Sequence, residues 1–314
     1  MARTSSPEPT LYAISPSDKH DVLTVKSVWS GDEPLASGLA HLVPFTNQGT
    51  SYLLGVNAKG AASAYRLRNK APWIEPVKSA IDLGGPCDIV QPFAIGGRLH
   101  FIAYTAKAGL LKFFAIGDGL ASSKKPFEYF RHRQPGVTTG WTVLQPVTHL
   151  NKNYYMTYGF HTGAVELFSI SVAATVAGDV PPLDTENVWS WVWAKGWTRF
   201  AFFQLGGENF FLKTNTLKPN VNIDHLDSDP NIRSNEVGTE MDLEDAQQLD
   251  ICSSFYQNGN TPYFITYMKN GKTTVNRVHG DCLGWTTEAR LTAVKGASQI
   301  VTYGIDGQTF ALFY

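Results

Sequence analysis

Runs of aromatic and β-branched residues recur along this chain at a nearly constant interval, each followed by a turn former. The runs are SYLLGV (51–56), HFIAYT (100–105), YYMTYG (154–159), FFLKTN (210–215), YFITYM (263–268) and QIVTYG (299–304). The turns after them carry Gly60, Gly109, Gly163, Pro219, Gly271 and Gly307. The mean interval is about 49 residues, a period that belongs to stacked or ring-forming supersecondary units. Asn270-Gly271 and Asp306-Gly307 are two-residue hairpin signals. Further runs follow several turns, among them LLKFFAI (110–116), AVELFSI (164–170), TTVNRV (273–278) and TFALFY (309–314). Three units open on one triplet: Gly140-Trp141-Thr142, Gly196-Trp197-Thr198 and Gly284-Trp285-Thr286.

Helical repeats would need a 3.6-residue apolar period, and no long window shows one. Six units of short antiparallel strands, each a meander of about 50 residues, instead predict an all-β, six-bladed β-propeller. Read this way, the unit from Gly284 runs out after three strands at Tyr314, and LTVKSVW (23–29) is an orphan strand near the N-terminus. Residues 10–30 are therefore expected to complete the last blade, because an open ring would leave sheet edges unpaired. The expectation is one domain over 1–314, with 1–9 as a flexible tail.

The charge balance, 26 Lys and Arg against 27 Asp and Glu, leaves no basic field for nucleic acid. No 18-residue apolar stretch is present, so no membrane span is expected. The N-terminus MARTSSPEPT has no signal-peptide core, and Cys87, Cys252 and Cys282 make no disulfide framework. A cytoplasmic location is the expectation, with export lacking a signal peptide still open.

No nucleophile-elbow, zinc-protease or phosphate-loop motif occurs, and His and Cys do not cluster at zinc spacings. No cofactor and no metal are expected. Asp227, Asp229 and Asn231 open like a calcium loop, but Ile232 and Gly238 stand where Gly and Glu are needed. Arg131-His132-Arg133, with Lys124-Lys125 nearby, reads as a solvated basic patch.

Two residue sets remain. Aligning the segments that end at Phe45, Phe93, Val147, Phe203, Phe255 and Leu291 gives one polar group per unit on a shared strand face. These are His41, Gln91, Gln145, Arg199, Ser253 and Thr287. Bordering a central channel, they would form a polar ring for a small ligand, with His41 as acid or base and Arg199 as oxyanion partner. Hydrogen bonding that merely ties blades together would explain them equally. The second set is Trp141, Trp197 and Trp285, whose indole faces suit the C–H face of a sugar or the core between blades.

The Gly-Trp-Thr starts, aromatic strands and Gly turns resemble the six-bladed β-propeller lectins of fungi and bacteria. The fucose-binding type takes an Arg, a Glu and a Trp from adjacent blades. No such trio repeats in this sequence; Glu166 and Arg277 stand as isolated matches. The resemblance implies a glycan partner bound at blade junctions. The alternatives are a cofactor-independent cyclase, lyase or isomerase with one pocket built around His41 and Arg199, and a protein-interaction scaffold. The oligomeric state is not legible.

Overall fold

The computed structural model describes residues 8–17, 23–31, 35–116, 120, 127–130, 139–172, 183–218, 221–227, 234–238, 243, 246–257 and 260–314. Strands β1 (Thr10–Pro16) and β2 (Leu23–Ser30) come first. Blade 1 follows as β3 (Leu39–Asn47), β4 (Thr50–Asn57), β5 (Ala61–Leu67) and β6 (Ile74–Asp82). Blade 2 is β7 (Ile89–Ile95), β8 (Arg98–Thr105), β9 (Leu110–Ile116) and β10 (Phe127–Phe130). Blade 3 is β11 (Val143–His149), β12 (Lys152–Tyr158), β13 (Ala164–Val172) and β14 (Leu183–Val192). Blade 4 is β15 (Trp197–Leu205), β16 (Glu208–Asn215), β17 (Val221–Leu226) and β18 (Ser234–Gly238). Blade 5 is β19 (Ile251–Gln257), β20 (Thr261–Tyr267), β21 (Lys272–Val278) and β22 (Trp285–Thr292). The chain ends in β23 (Ile300–Ile305) and β24 (Gln308–Phe313).

Each blade is a four-stranded antiparallel sheet, and the six sheets make the ring of a β-propeller. Blade 6 joins the two ends of the chain in the order β23, β24, β1, β2. Thr10 lies opposite Phe313 and Ile14 opposite Thr309, so the N-terminal strands close the ring as expected. The sequence reading is corrected at one boundary. Gly284-Trp285-Thr286 opens the outermost strand of blade 5, not a new blade, and the sixth inner strand is β23. The C-terminus therefore supplies two strands to blade 6, and the N-terminus two.

Strand composition follows position. The second strand of each blade is covered on both faces by neighbouring strands and blades, so it reads as a continuous apolar run (β12 is buried from Tyr154 to Tyr158). Outer strands such as β14 are mostly exposed. Inner strands present one open edge to the channel, which tolerates Pro44, Pro92 and Pro146 because no ladder partner needs their missing N–H. Asp306-Gly307 joins β23 to β24 with φ of 50° and 76°, the twist that a two-residue hairpin needs. Gly60, at φ 86°, is held so close to the Gly85 carbonyl that any Cβ would collide with it. Among the described residues no helix is long and apolar enough to cross a membrane.

Candidate functional site

Strand register aligns the six inner strands without ambiguity. Phe45, Phe93, Val147, Phe203, Phe255 and Tyr303 lie opposite Tyr52, His100, Tyr154, Phe210, Tyr263 and Phe310. Two residues earlier stand Val43, Gln91, Gln145, Ala201, Ser253 and Val301. Four residues earlier stand His41, Ile89, Val143, Arg199, Ile251 and Gln299.

A central cavity of about 340 Å³ is lined from all six inner strands. Gln91, Gln145 and Ser253 line it, as the channel reading expected, and Ser254 and Thr302 join them. Val43, Pro44, Phe202 and Ile300 supply apolar wall. Gln145 Nε2 donates to the Pro146 carbonyl at 3.1 Å. Around part of the ring, hydroxyls stitch blade to blade: Ser254 Oγ donates to the Phe202 carbonyl, and Thr302 Oγ1 donates to the Ser254 carbonyl at 2.7 Å. Cys252 also faces this cavity, and burial pushes its thiol up to about 12. Nearby Arg199 opposes that shift without overcoming it, so the thiol carries no nucleophilic charge at neutral pH.

His41, Arg199 and Thr287 are not among the residues lining this cavity. Thr287 sits on the outer strand β22 and donates to Asn276 Oδ1 at 2.8 Å. His41 Nε2 lies 2.7 Å from the Cys87 carbonyl of the segment leading into blade 2, so that nitrogen carries the proton. Arg199 Nε donates to the Leu249 carbonyl at 3.3 Å, in the segment leading into blade 5. Burial lowers the Arg199 guanidinium from its ordinary value, against the attraction of Asp250.

These two contacts belong to a six-fold pattern that the sequence reading missed. At the other four junctions a tyrosine hydroxyl reaches the corresponding lead-in backbone. Tyr104 accepts from the Trp141 N–H at 3.3 Å, and Tyr158 from the Trp197 N–H at 3.4 Å. Tyr267 accepts from the Ala297 N–H at 2.8 Å and donates to the Val294 carbonyl at 2.9 Å. Tyr314 accepts from the Leu39 N–H at 3.0 Å and donates to the Ala36 carbonyl at 2.9 Å. Where the second strand carries Val56 or Thr214 in place of tyrosine, the opposing inner-strand residue is His41 or Arg199. Where tyrosine is present in blades 2, 3 and 5, that residue is Ile89, Val143 or Ile251. The signal was visible, because three of the six aromatic runs carry the latching tyrosine next to last and TFALFY (309–314) ends in the fourth.

The three tryptophans occupy different settings. Trp141 is buried, stacks near Tyr104 and donates from Nε1 to Glu166 Oε2 at 3.2 Å. Trp197 is buried with its ring 4.6 Å from Lys213 Nζ, which also lies 4.2 Å from the Trp193 ring. Trp285 is half-buried, with its ring edge-on to Phe264. Arg277 is not isolated: it pairs with the buried carboxylate of Glu288, and Arg66, at the equivalent register of blade 1, lies 3.7 Å from Glu75. No group of three metal-ligating side chains gathers among the described residues. The basic patch 131–133 and residues 228–233 of the calcium-like segment lie outside them.

Against known proteins, no family model matches the chain and no curated protein is similar in sequence. Solved structures are similar in fold. A provisional 6-phosphogluconolactonase from Bacteroides fragilis superposes with TM-score 0.54 at 14% identity, over 96% of this chain and 86% of that one. The SapL1 lectin in complex with α-methyl fucoside gives TM-score 0.53 at 10% identity, over 88% and 89%. An arginine-substituted AofleA from Arthrobotrys oligospora gives 0.52 at 8% identity, over 87% and 78%. At such identities the likeness establishes the six-bladed propeller and nothing about the ligand.

Proposed function

We propose that this propeller is a carbohydrate-binding, lectin-like protein that holds a neutral polyhydroxylated ligand without transforming it. One observation carries the reading: the polar groups lining the central cavity are amides and hydroxyls, namely Gln91, Gln145, Ser253, Ser254 and Thr302 from blades 2, 3, 5 and 6, with apolar surface from blades 1 and 4 between them. Neutral donors and acceptors beside apolar surface complement a sugar, whose hydroxyls and C–H faces make the same division. The groups that could perform acid–base or oxyanion chemistry, His41 and Arg199, are engaged in holding blades together. Catalysis through them would have to break a junction.

A glycan array probed with the labelled, folded protein tests this. Binding that free monosaccharide competes away is expected. Loss of that binding in Gln91→Ala/Gln145→Ala, with unchanged unfolding temperature, would place it in the channel. A blank array on demonstrably folded protein overturns the reading.

A further inference from the structure

The six-fold pattern of the inner strands is broken at one position, and the break leaves room. In five blades an aromatic residue on the inner strand stacks on a ring of the second strand. Centroid separations are 5.3 Å for Phe45–Tyr52, 5.2 Å for Phe93–His100, 5.7 Å for Phe203–Phe210, 5.3 Å for Phe255–Tyr263 and 5.2 Å for Tyr303–Phe310. In blade 1 this ring also meets the next blade, with Phe45 edge-on to Phe101 at 5.2 Å. Blade 3 has Val147 at that register, opposite Tyr154. The counterpart of Phe101 is Phe211, which here meets Phe202 of its own blade at 5.2 Å. Phe202 stands where other blades carry Pro44, Pro92, Pro146, Ser254 or Thr302, so it partly fills the space the valine vacates.

The filling is incomplete. A cavity of about 200 Å³ opens between blades 3 and 4, with Val147, Phe202 and Phe211 in its wall. Inner strands β11 and β15 also touch each other less than any other neighbouring pair in the ring. None of the lining residues carries a charge at neutral pH. The polar edge is built from Gln204, Asn209 and Thr148, already organised against one another: Gln204 Nε2 donates to Asn209 Oδ1 at 2.9 Å, and Asn209 Nδ2 donates to the Thr148 carbonyl at 2.7 Å. Beside Asn209 stands His149, whose Nδ1 is 3.3 Å from Asn209 Nδ2 and whose buried Nε2 has no partner.

We propose that this gap is a monosaccharide subsite, in which a pyranose ring takes the place of the missing sixth aromatic ring. The sugar's C–H face lies against Phe202 and Phe211, and its hydroxyls meet Gln204 and Asn209. The inference rests on the carbohydrate reading above and places a site of that class at one junction, distinct from the channel. A second gap of about 180 Å³ borders Val147 on the blade 2 side, but there Phe93 keeps its ring in the wall, so the subsite is assigned to the blade 3–blade 4 gap.

The test is saturation-transfer NMR with methyl glycosides of fucose, galactose, glucose, mannose and N-acetylglucosamine. It compares the wild-type protein with Val147→Phe, Asn209→Ala and Gln91→Ala/Gln145→Ala. Restoring the ring with Val147→Phe should fill the space, keep or raise the unfolding temperature, and weaken binding of the responsive glycoside at least tenfold. Asn209→Ala supplies the same reading should Val147→Phe disturb packing. If folded Val147→Phe and Asn209→Ala bind as the wild type does while the channel variant does not, the subsite is overturned and the carbohydrate reading stands. If the wild type binds no glycoside on the panel, both fall.

Discussion

The two faces of blade 4 are held to their neighbours by different latches and different buried groups. Toward blade 3 the face is aromatic: Phe200 and Phe211, clustered with Phe202 and Trp197 of blade 4, meet Tyr158 and Trp193, and Tyr158 makes the latch. Embedded in this face is a buried ion pair, Lys213 to Asp224 at 2.8 Å, with Glu236 at 3.3 Å. Toward blade 5 the face mixes aliphatic and aromatic groups, with Ala201, Leu212, Ile223 and the stacked Phe203–Phe210 pair clustered with Phe264 and Val278, and the latch is Arg199. A propeller blade must hold each neighbour in one register, and this chain shows that a phenol, an imidazole or a guanidinium can supply the hydrogen bond. Conspicuous polar side chains can therefore be junction parts, and a valine can mark the more open place.

The largest effect expected comes from the aromatic face. Burial outweighs the pull of Lys213 and raises the Asp224 carboxyl from 3.8 to about 6. A folded-state pKa above the unfolded one means the folded protein binds the proton more tightly. Asp224 therefore contributes stability that is fully present below about 4 and is lost as pH rises through about 6, a swing on the order of 3 kcal/mol. Urea unfolding of the wild type against Asp224→Asn should show this slope only in the wild type. Equal slopes would mean the ion pair offsets the burial cost and would remove the electrostatic half of the contrast.

Next in size is the other face. Arg199→Ala removes a charge-assisted bond to a buried carbonyl and should cost about 2–3 kcal/mol in urea unfolding. Glycan binding per folded molecule should stay unchanged. Lost binding in a variant of normal stability would return Arg199 to the ligand site. The neutral latches should cost less: Tyr158→Phe and Tyr267→Phe each lose a similar amount, about 1 kcal/mol, because each hydroxyl both donates and accepts. A tyrosine variant as costly as Arg199→Ala would erase the distinction between the two kinds of junction.

The repeat, the strand order and the ring closure were legible because second strands buried on both faces must be apolar and turns must carry glycine. The polar row was legible only as a set of residues. Alternation tells which side chains share a face; it does not tell whether that face borders the channel or the next blade. Thus Gln91, Gln145 and Ser253 reached the cavity while His41 and Arg199 became latches. Thr287 was misplaced with its strand, because Gly284-Trp285-Thr286 repeats the triplet in an outer strand, where tryptophan suits a half-buried edge. Val147 stood in the aligned row among aromatic residues, and its meaning required knowing that the other five rings stack.

The smallest effect separates the charge of Arg199 from its burial. Cys252 lies in the wall of the central cavity close to Arg199, which latches blade 4 to blade 5 outside it, and a cation beside a thiol ordinarily favours the thiolate. Burial works against it and prevails, pushing the thiol up to about 12. Iodoacetamide should therefore modify Cys252 far more slowly at pH 7 than a free thiol reacts, and Cys252→Ala should leave glycan binding intact. Slow alkylation alone could reflect poor access, so Arg199→Lys is the decisive partner. If the guanidinium serves the Leu249 carbonyl and leaves the thiol un-ionised, moving its charge in Arg199→Lys will change stability and leave the alkylation rate as it was. A wild-type thiol that reacts quickly, and slows in Arg199→Lys, would show that the guanidinium polarises the cavity. The face toward blade 5 would then hold an activated group after all.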